Sequence, residues 1–161
     1  MDEGHFFVFG GTINTMERQI KTLTELETET ASFVGGLNPK KDRATFVTLS
    51  GELGAGKTAF VKAVAKALGV EETVNSPTFV LEKIYQLSSE ALKFKRLIHL
   101  DAYRLENGSE LTPLGFDEIM SDKSNLIFLE WPERVADALP APDVKISFVV
   151  HTDEARTISY G

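Results

Sequence analysis

The chain has 161 residues, 42% of them hydrophobic, with no cysteine and a formal net charge of −7. That length and composition describe one globular domain with room for a sizeable core, and they argue against a disordered chain. The missing cysteines exclude disulfides, thiolate zinc sites and cysteine nucleophiles, and the acidic balance speaks against a large basic footprint for nucleic acid.

No apolar run is long enough to span a bilayer. The acidic start Met1-Asp2-Glu3 and the short run Phe6-Phe7-Val8-Phe9 do not make a secretory signal. Together with the lack of cysteine, this sets the expectation of a cytoplasmic protein. Residues 1 to about 20, with Gly10-Gly11 in their middle, read as irregular; residues 1–23 are taken as an N-terminal extension and 24–161 as a single domain.

The first helix is expected from Thr24 to about Val34, with Thr24 as cap, Glu27 at the capping-box position and Gly35-Gly36 as the stop. Thr45 to Ser50 is an apolar strand. It leads into Gly51-Glu52-Leu53-Gly54-Ala55-Gly56-Lys57-Thr58, and a helix from Lys57 to Leu68 leads out, closed by Gly69. Asn75-Ser76-Pro77-Thr78 is a turn, and Phe79 to Tyr85 a strand. Leu97 to Asp101 and Leu126 to Glu130 are two buried strands, each ending in a carboxylate. Between them, Ser109 to Ile119 is a short helix interrupted near Pro113 and Gly115. Pro132 to Leu139 opens a further helical turn, and Asp143–Val150 with Arg156–Tyr160 forms a terminal β-hairpin. Strands mixed with helices around such a loop predict a three-layer α/β domain. Its mixed sheet has a parallel core and an antiparallel C-terminal hairpin, a P-loop NTPase-like architecture.

The segment 51–58 fits the phosphate-loop pattern of Gly, four residues, then Gly-Lys-Ser/Thr. Its glycines let backbone N–H groups turn inward as an anion nest, and the following helix adds its positive end. Lys57 is placed to reach the β- and γ-phosphates and Thr58 to ligate Mg²⁺. The loop residues Glu52, Leu53, Gly54, Ala55, Gly56 and Ala59 complete the expected nucleotide cradle. A strand that ends in an acid supplies a carboxylate rigidly on the metal side, and both Asp101 and Glu130 qualify. His99 shares a face with Asp101 and reads by itself as a structural histidine. Trp131, the one tryptophan, follows Glu130 and reads either as an aromatic near the site or as simple core packing. Arg104 and Arg134 lie just beyond the two acid-ended strands, within reach of a phosphate or of a carboxylate.

Taken together, Gly51–Thr58, Ser76-Pro77-Thr78-Phe79, His99-Leu100-Asp101-Ala102-Tyr103-Arg104 and Glu130-Trp131-Pro132-Glu133 resemble the TsaE (formerly YjeE) ATPases of tRNA threonylcarbamoyladenosine synthesis. The resemblance covers roughly residues 24 to 160. It implies that Ser76, Pro77 and Thr78 form a switch loop, that Asp101 is the acid needed for hydrolysis, and that Glu130 joins Thr58 at Mg²⁺. It makes Tyr103, Arg104 and Trp131 switch or partner-facing residues. Glu27 and Thr30 are the matches to an N-terminal segment that approaches the nucleotide in relatives. Arg156 is the match to a basic residue of the last hairpin; Asp153 stands where some relatives carry Arg.

The implied function is a slow ATP–Mg²⁺ hydrolase, cycling between ATP and ADP, that works with TsaD and TsaB on the adenosine next to the anticodon. It resets that complex without carrying the group itself and meets tRNA only through its partners. A small-molecule kinase is the alternative enzyme, although six arginines and no Arg-rich lid count against it. A nucleotide-dependent binding module with negligible turnover is the third reading. Adenine over guanine is implied by the resemblance alone; the guanine-reading stretch Asn-Lys-x-Asp is absent.

Overall fold

The computed structural model describes residues 6–7, 15–71, 81–90 and 92–161. Its strands are β1 (Phe6–Phe7), β2 (Thr15–Ile20), β3 (Thr45–Gly51), β4 (Glu82–Gln86), β5 (Arg96–Asp101), β6 (Asn125–Glu130), β7 (Val144–Val150) and β8 (Arg156–Tyr160). The α-helices are α1 (Leu23–Gly35), α2 (Lys57–Ala67) and α3 (Phe116–Ser121). Among the described residues the strands form one sheet in the order β1-β2-β8-β7-β3-β6-β5-β4. The four central strands β7, β3, β6 and β5 are mutually parallel; β4 joins β5, and β8 joins β7, antiparallel.

The central strands are apolar on both faces, as strands covered on both sides must be. One face carries Val47, Leu49, Leu97, Leu126 and Phe128 against Leu26 and Val34 of α1 and Phe60, Val61 and Val64 of α2. Phe60 packs edge-on to Phe148 and Phe33, with ring centroids 5.7 Å apart in each pair. The opposite face carries Phe46, Ile98, Leu100, Ile127 and Leu129 against Leu105, Leu111, Phe116 and Val135. These two cores make the expected three layers.

Several expected boundaries move for physical reasons. The N-terminal region is not irregular throughout: Thr15–Ile20 pairs with β8 from Met16↔Tyr160 to Ile20↔Arg156 and extends the sheet. Helix α1 starts at Leu23, and its cap lies two residues earlier than expected. Thr22, not Thr24, caps it by accepting from the Glu25 N–H at 3.1 Å, and Glu25 in turn accepts from the Lys21 N–H. The interrupted helix is a 3-10 segment, Gly108–Leu114, separated from α3 by Gly115. Pro132–Arg134 and Ala136–Ala138 are two 3-10 turns. Strand β4 begins at Glu82, and the expected Phe79-Val80 start lies outside the described residues. Basic residues ahead of β3 and β5 serve the fold: Arg43 makes a two-pronged contact with Asp143, Lys93 donates to the Gly35 and Leu37 carbonyls, and Arg96 pairs with Asp122.

Candidate functional site

The glycine loop joins the central strand β3 to α2, so it stands at the carboxyl end of the parallel strands, where open α/β sheets bind ligands. Gly51 has φ +155°, and a Cβ there would stand 2.9 Å from the Phe148 carbonyl oxygen. Gly56 has φ +111°, and a Cβ there would press on Arg156. Both the turn and the close approach therefore demand glycine. The loop closes on itself through the Ala55 N–H donating to the Glu52 carbonyl at 3.0 Å. Arg156 of β8 holds it from outside, its Nε donating to the Ala55 carbonyl at 3.0 Å and its Nη2 to Gly54 at 3.4 Å.

Lys57 is buried and folds back over the loop, donating to the carbonyls of Gly51 at 2.5 Å and Glu52 at 2.9 Å. Its Nζ also lies 4.2 Å from the centroid of the Trp131 ring. Burial pushes the Lys57 ammonium below the ordinary lysine range, and the charges of Glu130, Glu133 and Asp101 oppose that shift.

The parallel register sets Asp101 beside Glu130 on neighbouring strands, both buried. The Asp101 Oδ1 accepts from the Tyr103 N–H at 2.9 Å. The Glu130 carboxylate meets the Thr58 hydroxyl at 3.0 and 3.1 Å, and His99 Nε2 stands 2.5 Å from its Oε2. After Glu130 the chain turns sharply: Trp131 is left-handed, at φ +60° and ψ +51°, with its N–H on the Leu49 carbonyl. That strained backbone presents the indole to the cavity. Tyr103 lies against it with centroids 5.0 Å apart, and Arg134 covers the Tyr103 ring at 5.5 Å.

These groups surround a cavity of about 520 Å³. Leu53, Gly54, Gly56, Lys57, Thr58, Ala59, Asp101, Tyr103, Glu130, Trp131 and Arg156 line it, so the structure gathers most of the sequence-derived residues at one place. Glu52 and Ala55 contribute loop carbonyls rather than lining. Arg104 is exposed and outside the lining. Ser76, Pro77 and Thr78 lie outside the described residues.

Glu27 and Thr30 stand apart from the cavity. Glu27 pairs with Lys66 at 2.8 Å, and Thr30 is buried with its hydroxyl on the Glu27 carbonyl at 3.1 Å. The α1 side of the cavity is built one turn earlier, by Lys21, Thr22, Leu23 and Leu26, with Ile20, Phe148 and Ile158 as apolar wall. The cap motif Thr22-Leu-Thr-Glu25 was the available signal, since a helix start is also where an anion-bearing ligand is met.

Chemically, the site offers a backbone loop and a lysine for an anion, two carboxylates and a hydroxyl for a hard cation, and an apolar and aromatic wall. A parallel-cored three-layer sheet with this loop after its central strand is a P-loop NTPase-like fold.

The comparisons with known proteins narrow this class. Residues 23–158 match the family described as "Threonylcarbamoyl adenosine biosynthesis protein TsaE". The tRNA threonylcarbamoyladenosine biosynthesis protein TsaE of Treponema pallidum is 37% identical over 118 residues, 73% of this chain and 82% of that protein. Its Bacillus subtilis counterpart is 38% identical over 114 residues, 71% of this chain and 67% of that protein. The crystal structure of Bacillus subtilis YdiB superimposes with a TM-score of 0.71 at 24% identity, covering 94% of this chain and 87% of that one, a likeness of fold. The chain belongs to the TsaE family.

Proposed function

We propose that this chain is a P-loop ATPase that binds ATP with Mg²⁺ and acts with TsaD and TsaB in threonylcarbamoylation of the tRNA adenosine next to the anticodon. Family membership supports the pathway. The observation that carries the chemistry is the convergence of Lys57, Thr58, Asp101 and Glu130 on one cavity behind the glycine loop.

The donor set fits Mg²⁺, which prefers oxygen: the Thr58 hydroxyl and the Glu130 carboxylate already face each other at hydrogen-bond distance. Among the described residues no cluster of three or more His, Cys, Asp or Glu is built to hold a cation unaided. When bound, Mg²⁺ supplies charge neutralisation at the phosphoryl oxygens.

Lys57 exchanges the Gly51 and Glu52 carbonyls for phosphate oxygens, and its ammonium stabilises the charge that spreads over the transferring group. Asp101, steadied by the Tyr103 N–H, orients the attacking water. The wall of Ile20, Leu26, Phe148 and Ile158 takes the apolar face of the base, and Arg156 keeps the loop seated beneath it. Turnover is weak alone and rises with the partners, acting through the switch residues Ser76, Pro77 and Thr78. Hydrolysis then resets the complex between rounds, while tRNA is contacted through TsaD and TsaB.

The test is phosphate release from ATP–Mg²⁺ by the chain alone and with TsaB and TsaD from the same source, with Lys57→Ala as control. Stimulation by the pair, lost in the variant, is the expected result. Binding of ATP with no stimulation and no association with the pair sinks the partner reading. Phosphate transfer to a small acceptor in place of water identifies a kinase.

A further inference from the structure

We propose that His99 is a positioning residue. It fixes the Glu130 carboxylate from behind and so sets the site's affinity for the divalent cation; this rests on the ATP–Mg²⁺ reading above. His99 lies on β5 one pleat before Asp101, so a single strand presents Asp101 to the cavity and the imidazole to the back of Glu130. The ring is wholly buried, at 0% exposure, and Nε2 stands 2.5 Å from Glu130 Oε2. Among the described residues its other nitrogen, Nδ1, is buried without a hydrogen-bond partner.

A carboxylate oxygen accepts, so Nε2 carries a hydrogen and the imidazole donates it to Glu130. Glu130 is 2% exposed, so its carboxylate is set chiefly by protein donors. Its other neighbour, Thr58, belongs to the helix that carries the loop, and that hydroxyl has a second duty when its lone pairs turn to a cation. The imidazole is the donor to Glu130 that stays on the sheet throughout. A side chain at this place resembles a histidine in any hydrophobic core when read from sequence, but its partner here is the site's own carboxylate. Groups that orient a metal-facing carboxylate in this way typically change metal affinity by about ten- to a hundred-fold when removed.

The experiment uses the full chain as wild type, His99→Leu, which keeps bulk and removes the donor, and His99→Gln, whose amide N–H reaches about as far as Nε2. Binding of fluorescent ADP is measured in EDTA and across a Mg²⁺ titration, with thermal melting alongside. Expected is a rise of about ten-fold or more in the Mg²⁺ needed by His99→Leu, unchanged ADP affinity in EDTA, and recovery in His99→Gln. An unchanged Mg²⁺ requirement in a folded His99→Leu overturns the inference. Should His99→Leu not fold, His99→Asn, whose amide is too short, takes its place; equal Mg²⁺ requirements for Asn and Gln then overturn it. A wild type whose ADP binding ignores Mg²⁺ overturns the ATP–Mg²⁺ reading itself, a distinct failure seen before any variant is compared.

Discussion

The Thr58 hydroxyl stands 3.0 and 3.1 Å from the two carboxylate oxygens of Glu130, across 72 residues of sequence. One group comes from the start of a helix and the other from the end of a strand, and the sheet brings them together. Thr58→Ala removes one of the two oxygen donors. Affinity for ATP with Mg²⁺ should then fall about ten-fold or more, equivalent to about 1.4 kcal/mol, while Thr58→Ser stays near wild type. The check is a nucleotide titration with and without EDTA; chelation should erase the difference between the variants. A Thr58→Ala protein as Mg²⁺-responsive as wild type would refute the assignment.

Lys57 gives a pH signature. Its folded value lies below 10.5 because burial disfavours the charge. Between that lowered value and 10.5 the unfolded chain holds more protons than the folded one, so this residue makes stability rise with pH. In Lys57→Met that contribution is gone. Urea unfolding of both proteins from about pH 8 to about pH 10.5 should show a flatter profile for the variant, and parallel profiles would contradict the burial account. The same variant should no longer capture the phosphates of ATP.

Trp131 is the only tryptophan, and the Lys57 ammonium lies over its ring. A nucleotide that draws Lys57 onto its phosphates removes a cation from the indole face. ATP should therefore change the emission of the wild type in a saturable way and leave Lys57→Met unchanged. A silent wild type that nevertheless binds ATP would mean that the lysine stays on its loop carbonyls.

Tyr160 ties the last strand to α1 by donating to Glu29 at 2.8 Å. Burial, and then the Glu29 charge, push its phenol far above the ordinary value of 10.0. A raised value means that the folded form holds its proton longest, so the contribution is complete below about pH 10 and fades as pH rises beyond it. Tyr160→Phe should cost about 1 kcal/mol at neutral pH and lose less stability than wild type in alkali. Chemical denaturation on both sides of that pH decides it.

The loop, α2 and the two acid-ended strands were legible because each is a local pattern. A glycine-rich segment joined an apolar run to a helix, and Leu97–Asp101 and Leu126–Glu130 ran apolar into a carboxylate. Their adjacency comes from parallel pairing, which sets Asp101 opposite Glu130. Strand β2 was not legible, because Thr-Met-Glu-Arg-Gln-Ile has little apolar content and is held by pairing with β8, a partner remote in sequence. The start of α1 was ambiguous for a different reason. Thr22 with Glu25 and Thr24 with Glu27 both satisfy the capping pattern, and only the packing of Leu26, Thr30 and Val34 chooses between them. Glu27 and Thr30 entered the expected site through the likeness to relatives' N-terminal segment, while Thr22 and Leu23, at the true helix start, line the cavity. The contact of His99 with Glu130 needed three-dimensional register, since nothing in the chain marks two residues 31 apart as neighbours.

Arg156 rests on the Ala55 carbonyl across 101 residues. Contacts of that separation close long loops and form late when a chain folds. The glycine loop is thus complete as a motif early in the sequence but finished as a structure only by the hairpin near its far end. On refolding, recovery of ligand capture should lag behind recovery of helical signal. A chain interrupted before residue 156 would keep every residue of the motif and lack the side chain that seats it.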